Sequence, residues 1–531
     1  MAAEAAFRTR HVMKVATERG DDPIDPNLPD YPSILHALDF AARNVPDRTA
    51  FVCEDVTLTF AELARAVGGL ADRLASLGAG KTRVAVMMNN SADTAVTGLA
   101  AMAAGGQLAS VNPNYTEREL GVLLADTQPG LIVCIPDHEA KARAAAAKVP
   151  GCKVEIVVPG GATIGRWTKD AGAALPKRLP GPSDRACIFF TGGTTGVPKG
   201  AEHVHGGLIA FCRQITELWP VQFDAERMLI VAPMFHIFGH HFSKLWPLYV
   251  RASVVIVPRY KPEIVLQELD RHRITVFPGG PPSIYFGLLA NPEIDKTDFT
   301  TLRFCLSGGA PCPEALLRRW EERTGAPICE GLGMSEGAPV TCSPFVGTRK
   351  LMSVGVVPPR TDIQIVDLET GTRVLPAGER GEIRVRGPQF TVGYCNRPDE
   401  TAVAIRDGWL YTGDIGYFDA EGYLFVVDRK KELILVGGYN VYPREVDEVL
   451  HSHPAVHEAA AVGVPDDFKG EVVKAFVALK PGARLTEQEL VAYCGERLAP
   501  YKVPVAVAIL DALPKTGPAK IDKLALKGLR K

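Results

Sequence analysis

Short apolar runs alternate with helix-length segments along most of this sequence, and the alternation restricts the folds open to the chain. Residues 84–88, 131–134 and 154–158 have the length and composition of buried strands. Helical signals lie between such runs, among them the capping-box pair Thr59 and Glu62, which precedes apolar residues on one face. Because strands separated by helices favour parallel sheets, we predict a layered α/β fold.

The pattern changes in the last third of the chain to short strands and turns. Residues 381–386 and the hairpin-like segment 417–427 predict a small β-rich subdomain. We therefore predict a large N-terminal domain over residues 1–428, made of layered α/β sheets with the β-rich subdomain at about 343–428. A small, mobile α+β domain is predicted over 429–531.

Chain length, net charge and cysteine content exclude some classes of protein. The chain of 531 residues is too long for one hydrophobic core. Lys and Arg number 59 against 61 Asp and Glu, a net charge of −2 that argues against binding to nucleic acid or an anionic membrane. Its eleven cysteines contain no Cys-x-x-Cys pair, so we interpret them as reduced thiols and predict a cytoplasmic protein.

One uncharged run, residues 94–116, is long enough to cross a bilayer. It is dominated by Ala and Gly, however, and ends in polar residues and Pro113. We predict a buried helix that runs into a turn, and no membrane span.

Residues 191–200, TGGTTGVPKG, follow a strand-like run and have the composition of an anion-binding loop. Glycines allow the backbone to curl so that successive N–H groups point inward, and hydroxyls and an ammonium add donors for a polyphosphate. These residues are Thr191, Gly192, Gly193, Thr194, Thr195, Gly196 and Lys199. The segment is not a Walker A loop, because Pro198 precedes the lysine and Gly200 follows it. A glycine-rich surface loop with one solvated lysine is the alternative.

Three charged residues in later motifs suit nucleotide binding. Glu336, in LGMSE, is a natural Mg²⁺ ligand beside phosphates, because that hard cation prefers oxygen donors. Asp414, in YTGD, is predicted to lie in a turn where its carboxylate accepts both ribose hydroxyls, although an Asx turn explains it equally well. Arg429, in DRKKE, is either a nucleotide contact or part of a charged face.

The histidines do not predict a zinc site. His236, His240 and His241 have helical spacing, but no His-Glu-x-x-His motif and no interleaved cysteine or carboxylate accompany them. His236 lies in the apolar motif PMFHIFG, where it is either a core histidine or a substrate-facing one.

Taken together and in this order, six motifs resemble the acyl-adenylate-forming superfamily of acyl-CoA synthetases, luciferases and adenylation domains. They are FFTGGTTGVPKG, PMFHIFG, EGLGMSE, YTGD, DRKKELILVGGYNVYPREVDEVL and LPKTGPAK. The chain is most similar to the bacterial fatty-acid–CoA ligases, which share the VNPNYTERELGVLL stretch.

The resemblance implies a role for particular residues. The loop from Thr191 to Lys199 would hold the phosphates, and Glu336 and Thr195 would bind the Mg²⁺. Asp414 and Arg429 would hold the ribose. Lys520 would contact the reacting carboxylate and the α-phosphate. Adenine would lie against Gly309, Ala310, Pro311, Gly331, Leu332, Gly333, Met334 and Ser335. The acyl group would lie against Phe235, His236, Gly279, Gly308 and Gly333. Gly437, Gly438 and Tyr439 would line the CoA site, and Lys431 would be the hinge.

Three positions depart from the family pattern. Gly192 replaces a common serine, and Leu332 replaces the usual tyrosine, which removes aromatic stacking on adenine. Ala519 stands where glycine is usual, so a positive φ there would strain the backbone before Lys520.

The resemblance implies a Mg·ATP-dependent fatty-acid–CoA ligase for medium or long chains that acts through an acyl-AMP. The acid would be apolar, and free CoA is the expected acceptor because no Asp-Ser dipeptide marks a carrier attachment site. The alternatives are an aryl- or alicyclic-acid CoA ligase, a stand-alone loader of a separate carrier protein, and a non-catalytic binding relative. A homodimer is left open.

Overall fold

The computed structural model describes residues 25–191, 198–219, 221–310, 312–344, 349–437, 439–466, 468–516 and 520–529. The chain divides into two compact units. The first contains the chain up to Ile363 together with Val385–Leu410, and the second contains Gln364–Arg384 and the chain from Tyr411 onward. The first unit is therefore interrupted in sequence by a short part of the second.

The secondary structure alternates as the sequence predicts. The first strands are β1 Thr49–Cys53, β2 Val56–Thr59, β3 Arg83–Met87, β4 Gln107–Ser110, β5 Leu131–Cys134, β6 Lys153–Ile156, β7 Arg185–Thr191, β8 Lys199–Val204, β9 Arg227–Ile230, β10 Ser253–Ile256, β11 Val276–Gly280, β12 Phe304–Gly308, β13 Ile328–Met334 and β14 Gly337–Cys342. The later strands are β15 Asp362–Val366, β16 Gly381–Arg386, β17 Gly393–Tyr394, β18 Ile405–Arg406, β19 Trp409–Phe418, β20 Leu424–Arg429, β21 Ile434–Val436, β22 Tyr439–Val441, β23 Val456–Asp466, β24 Gly470–Leu479, β25 Ala506–Leu510, β26 Lys515–Thr516 and β27 Lys520–Ile521.

The helices lie between these strands. They are α1 Ile34–Asn44, α2 Phe60–Ser76, α3 Ala92–Ala103, α4 Glu117–Thr127, α5 Glu139–Ala146, α6 Gly165–Thr168, α7 His205–Leu218, α8 Ile237–His240, α9 Trp246–Val250, α10 Pro262–Arg271, α11 Pro282–Ala290, α12 Glu314–Thr324, α13 Pro398–Ala404, α14 Pro443–His451, α15 Glu487–Gly495 and α16 Lys523–Gly528.

Two large sheets form the first unit. One has the strand order β14-β13-β12-β11-β9-β10-β1-β2, and the other has the order β17-β8-β7-β4-β3-β5-β6. Strands β13 through β1 of the first sheet and β7 through β6 of the second pair in parallel. The pairs β1-β2, β13-β14 and β7-β8 are antiparallel. The predicted α/β fold with parallel sheets is confirmed.

Helices cover these sheets with apolar stripes. In α10, Val265, Leu266 and Leu269 are buried on one face and belong to the core that surrounds Tyr285 and Trp320. Such spacing puts an apolar stripe toward a sheet and leaves charged residues in solvent. The parallel strands are consequently buried on both faces, which explains their continuous apolar runs.

The second unit contains smaller sheets. Its strands follow the order β15-β16-β19, with β20 beside β19, and a further sheet has the order β22-β21-β24-β23 with β25 beside β24. In α14, Val446 and Leu450 lie four residues apart and pack into the core of the latter sheet with Val477. This unit is accordingly a mixed α+β structure.

The region 94–116 differs from its prediction. The helix α3 ends at Ala103, and Gln107–Ser110 forms the buried strand β4 between β3 and β7, where a turn was expected. An uncharged run carries no periodicity that separates a helix from a buried strand, so composition could not locate the junction. Across the described residues, no helix is both long enough and apolar enough to span a bilayer.

Candidate active site

The segment predicted to bind phosphate joins two paired strands. Thr191 ends β7, Lys199 begins β8, and the two residues are paired across the antiparallel ladder. Gly192, Gly193, Thr194, Thr195 and Gly196 lie outside the described residues. The described ends of the loop thus come together at the carboxyl end of β7, which is where open α/β sheets place their ligands.

Glu336 occupies the tight turn between β13 and β14. Gly337 follows it with φ 154°, and a Cβ atom there would come within 2.5 Å of the Phe390 ring, so this turn requires glycine. The Glu336 side chain is only 7 % exposed, and its backbone carbonyl accepts a hydrogen bond of 2.6 Å from Thr391 N–H. The carboxylate is therefore held in a fixed position inside the first unit.

Tyr394 supports this carboxylate. Its hydroxyl donates a hydrogen bond of 2.6 Å to Glu336 Oε1, and Lys199 Nζ lies 5.3 Å from the centre of its ring. Burial and the neighbouring Glu336 raise the pKa of the Tyr394 hydroxyl above its usual value, so it stays protonated and donates. Tyr394 thus connects Glu336 with the lysine of the phosphate segment.

Two further hydrogen bonds hold the Glu336 turn against β7 and β8. His203, on β8, contacts the Ser335 carbonyl through Nε2 at 2.9 Å, and Ser335 Oγ donates to the Phe190 carbonyl at 3.3 Å. Burial lowers the pKa of His203 to about 4, so the neutral ring is the donor. These two hydrogen bonds hold the turn between β13 and β14 of one sheet against β7 and β8 of the other sheet.

The sequence analysis did not select Tyr394 or His203. Tyr394 is 58 residues from Glu336, and no local pattern marks it. The signal that identifies both residues is tertiary, because each acts through a strand pairing that brings β8 and β17 together.

Most of the residues predicted for the adenine and acyl groups lie near the carboxyl ends of β11, β12 and β13, whereas Phe235 and His236 lie between β9 and α8. Gly308, half-buried, ends β12, and a Cβ atom on it would meet the Gly331 carbonyl at 3.1 Å and the Phe238 ring at 3.7 Å. A Cβ atom on Gly279 would come within 2.7 Å of Tyr285 Oη. Phe235 and Leu332 are half-buried, whereas Gly309, with φ 83°, is exposed. Ala310, Gly331 and Met334 are half-buried, Gly333 is exposed, and Pro311 lies outside the described residues.

His236 is exposed, which decides against the interpretation as a core histidine. Its Nδ1 accepts a hydrogen bond of 3.3 Å from Phe238 N–H at the start of α8. This hydrogen bond fixes one ring nitrogen of the exposed side chain. The interpretation of His236 as a substrate-facing residue stays a prediction.

In the second unit Asp414 lies inside β19, so its predicted position in a turn is wrong. It stands opposite Arg429 on β20, and Arg429 Nε donates to Asp414 Oδ1 at 2.6 Å. Gly413 has φ 71°, and the ladder shifts register between Ile415 and Gly416. The Gly-Asp pair that suggested a turn is accommodated as an irregularity within a strand.

Other predicted residues of the second unit are placed as follows. Lys431 is exposed in a short 3₁₀ turn, and Gly437 adopts φ 57° with its N–H bonded to the Lys469 carbonyl. Tyr439 is exposed and stacks on Tyr501, with ring centres 4.7 Å apart. Lys520 begins β27, but its side chain is not among those described, and Gly438 and Ala519 lie outside the described residues.

The residues present suit a divalent cation. The described part of the chain places no Lys or Arg within ion-pair distance of the buried Glu336 carboxylate, and a buried carboxylate needs a positive partner. Among the described residues, no group of three or more His, Cys, Asp or Glu side chains has an arrangement that could hold a metal ion by itself. A single carboxylate with ligand phosphates is the usual way in which proteins hold Mg²⁺.

A cavity of about 890 Å³ lies elsewhere in the first unit, around Arg83, Arg178 and His205. None of the predicted site residues that the structure describes lines it. Hydrogen bonding and burial around Glu336 define the candidate site, because the volume of a cavity does not by itself indicate a function.

The sequence matches known family models over most of its length. The AMP-binding enzyme family matches residues 38–395, and the AMP-binding enzyme C-terminal domain matches residues 445–520. The chain belongs to the AMP-binding enzyme family. The prediction of an adenylate-forming enzyme, made from the six motifs, is confirmed.

Individual relatives cover nearly the whole chain. The long-chain-fatty-acid–CoA ligase of Bacillus subtilis is 38% identical over 91% of this chain and 92% of its own length. The feruloyl-CoA synthase of an Amycolatopsis species is 37% identical over 91% of this chain and 96% of its own. The crystal structure of ATP-bound MatB from Rhodopseudomonas palustris superposes with a TM-score of 0.87 at 32% identity, covering 94% of this chain and 98% of that one.

Proposed function

We propose that this protein is a fatty-acid–CoA ligase that uses ATP and Mg²⁺, forms an acyl-AMP and then transfers the acyl group to CoA. The observation that carries the proposal is the buried, tyrosine-supported Glu336 carboxylate beside the phosphate segment. Relatives named long-chain-fatty-acid–CoA ligase at 34–38% identity support the substrate and the acceptor. ATP–pyrophosphate exchange that depends on a fatty acid, followed by CoA-dependent release of AMP, tests it.

The first half-reaction must bring a carboxylate to the α-phosphate, so negative charge meets negative charge. Lys199 and the donors of the phosphate segment are proposed to hold the β- and γ-phosphates, and Lys520 is proposed to neutralise charge between the reacting groups. Glu336 would hold Mg²⁺, which supplies charge neutralisation between phosphate oxygens. Asp414 and Arg429 are proposed to hold the ribose.

The second half-reaction needs a thiol to displace AMP from the acyl-AMP. Gly437, Gly438 and Tyr439 are proposed to line the CoA site, and the φ of 57° at Gly437 supports a close backbone approach there. Lys431 is proposed as the hinge between the two half-reactions. The domain boundaries at residues 428 and 429 remain a prediction.

The proposal also includes the cellular compartment and the oligomeric state of the enzyme. All eleven cysteines are free thiols, and all except Cys152 are buried, which supports a cytoplasmic protein. The homodimer remains a prediction, and size-exclusion chromatography with light scattering tests it.

An aryl-acid CoA ligase is the second candidate, because a feruloyl-CoA synthase matches nearly as well as the fatty-acid relatives. Chain-length dependence separates the two. If the acyl site is an apolar tunnel, each buried CH₂ adds about 0.8 kcal/mol, so we expect exchange activity to rise with chain length until the tunnel ends. Exchange measured from acetate to palmitate, with benzoates and cinnamates alongside, tests this. A flat profile, or a preference for the aromatic acids, would contradict it.

The Tyr394→Phe variant is expected to weaken the metal site without unfolding the protein. A hydrogen bond to a charged group contributes about 1.5–3 kcal/mol, so we expect kcat/KM for Mg·ATP to fall by about 10- to 100-fold. Titration of activity with Mg²⁺ measures the effect. Tyr260→Phe is the control, because that hydroxyl donates to the Ile284 carbonyl at 2.8 Å and has no carboxylate partner. Equal losses in both variants would refute the role of Tyr394.

A further inference from the structure

A buried group of basic side chains lies behind the strand that leads into the phosphate segment. It consists of His203, His240, His241 and Lys244, which we call the basic cluster. Lys244 is 2 % exposed, and the three histidines are buried as well. Lysine is almost never fully buried unless it is paired, so the cluster requires an explanation.

Lys244 has no partner of opposite charge within the described part of the chain. No hydrogen bond or ion pair there involves its ammonium, and the polar group with the largest effect on it is the Cys187 thiol. A Cβ atom added to Gly98 of α3 would lie 3.1 Å from Nζ, so the ammonium is packed against a glycine. Burial lowers the pKa of Lys244 to about 7. An unpaired buried ammonium is costly, and a ligand of opposite charge would remove that cost.

The neighbouring polar atoms are unpartnered too. Neither ring nitrogen of His240 has a hydrogen-bond partner among the described residues, and the same holds for His241 Nδ1 and Ser243 Oγ. Nearly all buried polar groups in proteins are hydrogen-bonded. Several unpartnered polar atoms in one place therefore indicate that these atoms hydrogen-bond to a ligand.

These residues lie on a continuous helical segment with a widened turn. The segment α8 leads into a π-helical turn over His241–Leu245, which leads into α9. Turns of this type are rare and occur frequently at functional sites. Phe238, at the start of the segment, lies near Gly308 and Gly280 at the ends of β12 and β11. The segment therefore runs from the region proposed for the acyl group to the basic cluster.

The cluster also lies along the strand face that carries the phosphate segment. Cys187, Phe189 and Thr191 alternate along β7 and share one face. The Phe189 ring centre lies 5.0 Å from that of His240 and 5.6 Å from that of His203. Thr191 is four positions beyond Cys187, on the order of 13 Å along the strand. That is the length of a medium-chain acid.

We propose that the basic cluster binds a carboxylate at the far end of the acid substrate, and that the enzyme activates medium-chain α,ω-dicarboxylic acids. The inference rests on the proposed acid–CoA ligase activity and specifies its substrate. The distal carboxylate pairs with the Lys244 ammonium, and neutral His240 and His241 donate N–H groups to its oxygens. Lys244 is thus a specificity-determining residue, and the sequence analysis missed it because it lies outside the six motifs.

The test compares decanedioate with decanoate in ATP–pyrophosphate exchange, using the full chain and Lys244→Met. Methionine keeps the length of the side chain but removes the charge. We expect the wild-type protein to prefer decanedioate, and the variant to lose at least about 30-fold in kcat/KM for it, the scale for removing one partner of a buried charge pair. The preference for decanedioate over decanoate, measured as the ratio of the two kcat/KM values, should be lost in the variant. Lys296→Met is the control, because that lysine is exposed and pairs with Glu293 at the surface.

Contrary outcomes are distinguishable. A wild-type preference for decanoate, or an unchanged ratio between the two acids in Lys244→Met, overturns the inference and leaves the ligase proposal standing. If the enzyme uses 10-hydroxydecanoate as well as decanedioate, the proposed ion pair between Lys244 and a distal carboxylate is wrong. The absence of exchange with every acid refutes the ligase proposal itself. If the variant does not fold, the wild-type ratio between the two acids decides alone.

Discussion

The Glu336→Gln variant is expected to form acyl-AMP about 10²- to 10³-fold more slowly than the wild-type protein, the scale for losing one electrostatic stabiliser of a transition state. Glutamine keeps the size of the side chain and can still accept the hydrogen bond from Tyr394, so the turn between β13 and β14 should survive. What the variant loses is the negative charge that we propose holds Mg²⁺ beside the phosphates. The fold should be retained because the described residues supply no cationic partner that would be left unpaired.

Acid-dependent ATP–pyrophosphate exchange over a range of Mg²⁺ concentrations measures this effect, with thermal unfolding as the check on folding. Glu226→Gln is the matched control. Glu226 is also buried, but it pairs with Arg303 and accepts a hydrogen bond from Thr275, so loss of its charge should lower stability without changing the Mg²⁺ requirement. Near-wild-type exchange by Glu336→Gln at ordinary Mg²⁺ would refute the metal assignment.

The Lys520→Ala variant is expected to separate the two half-reactions. If the Lys520 ammonium neutralises charge between the carboxylate and the α-phosphate, its removal should slow adenylation by about 10²- to 10³-fold. Thioester formation from preformed acyl-AMP and CoA should continue at close to the normal rate, because that step joins a thiol to an already activated acyl group.

Each half-reaction is measured alone, the first by pyrophosphate exchange and the second by release of AMP from synthetic acyl-AMP. Lys480→Ala serves as the control, since that lysine is exposed and, among the described residues, donates to the Pro454 carbonyl alone. Equal losses in both half-reactions would indicate a binding or folding defect, and no loss in either would remove Lys520 from the mechanism.

Local signals in the sequence located many elements closely. The predicted strands 131–134 and 381–386 match β5 and β16, and the capping box of Thr59 and Glu62 is present at the start of α2. These features depend on residues that are near one another in sequence. Ser33 is an exception: a serine directly before a helix is expected to cap it, but the Ser33 hydroxyl bonds the His36 ring and does not cap α1.

The parts of the site that depend on tertiary structure could not be predicted from periodicity. The motifs predicted roles for Glu336 and Lys199, because the chemistry of each can be inferred from a short segment. Tyr394 and His203 acquire their positions through the pairing of β17 with β8 and β7, which composition does not specify. Lys244 could not be predicted for the same reason. The sequence shows a lysine in an apolar segment, but it does not show whether that lysine is buried or which side chains surround it.

The interrupted course of the first unit has a consequence for how the polypeptide is made and can be recombined. During synthesis, Val385–Leu410 leaves the ribosome only after Gln364–Arg384, so the Glu336 turn must wait for Tyr394 before its hydrogen bond can form. Folding of the nascent chain is therefore not complete when Ile363 emerges. A chimera joined at residue 363 would exchange β17 together with the foreign module, whereas a graft that restores residues 385–410 keeps the native support of Glu336.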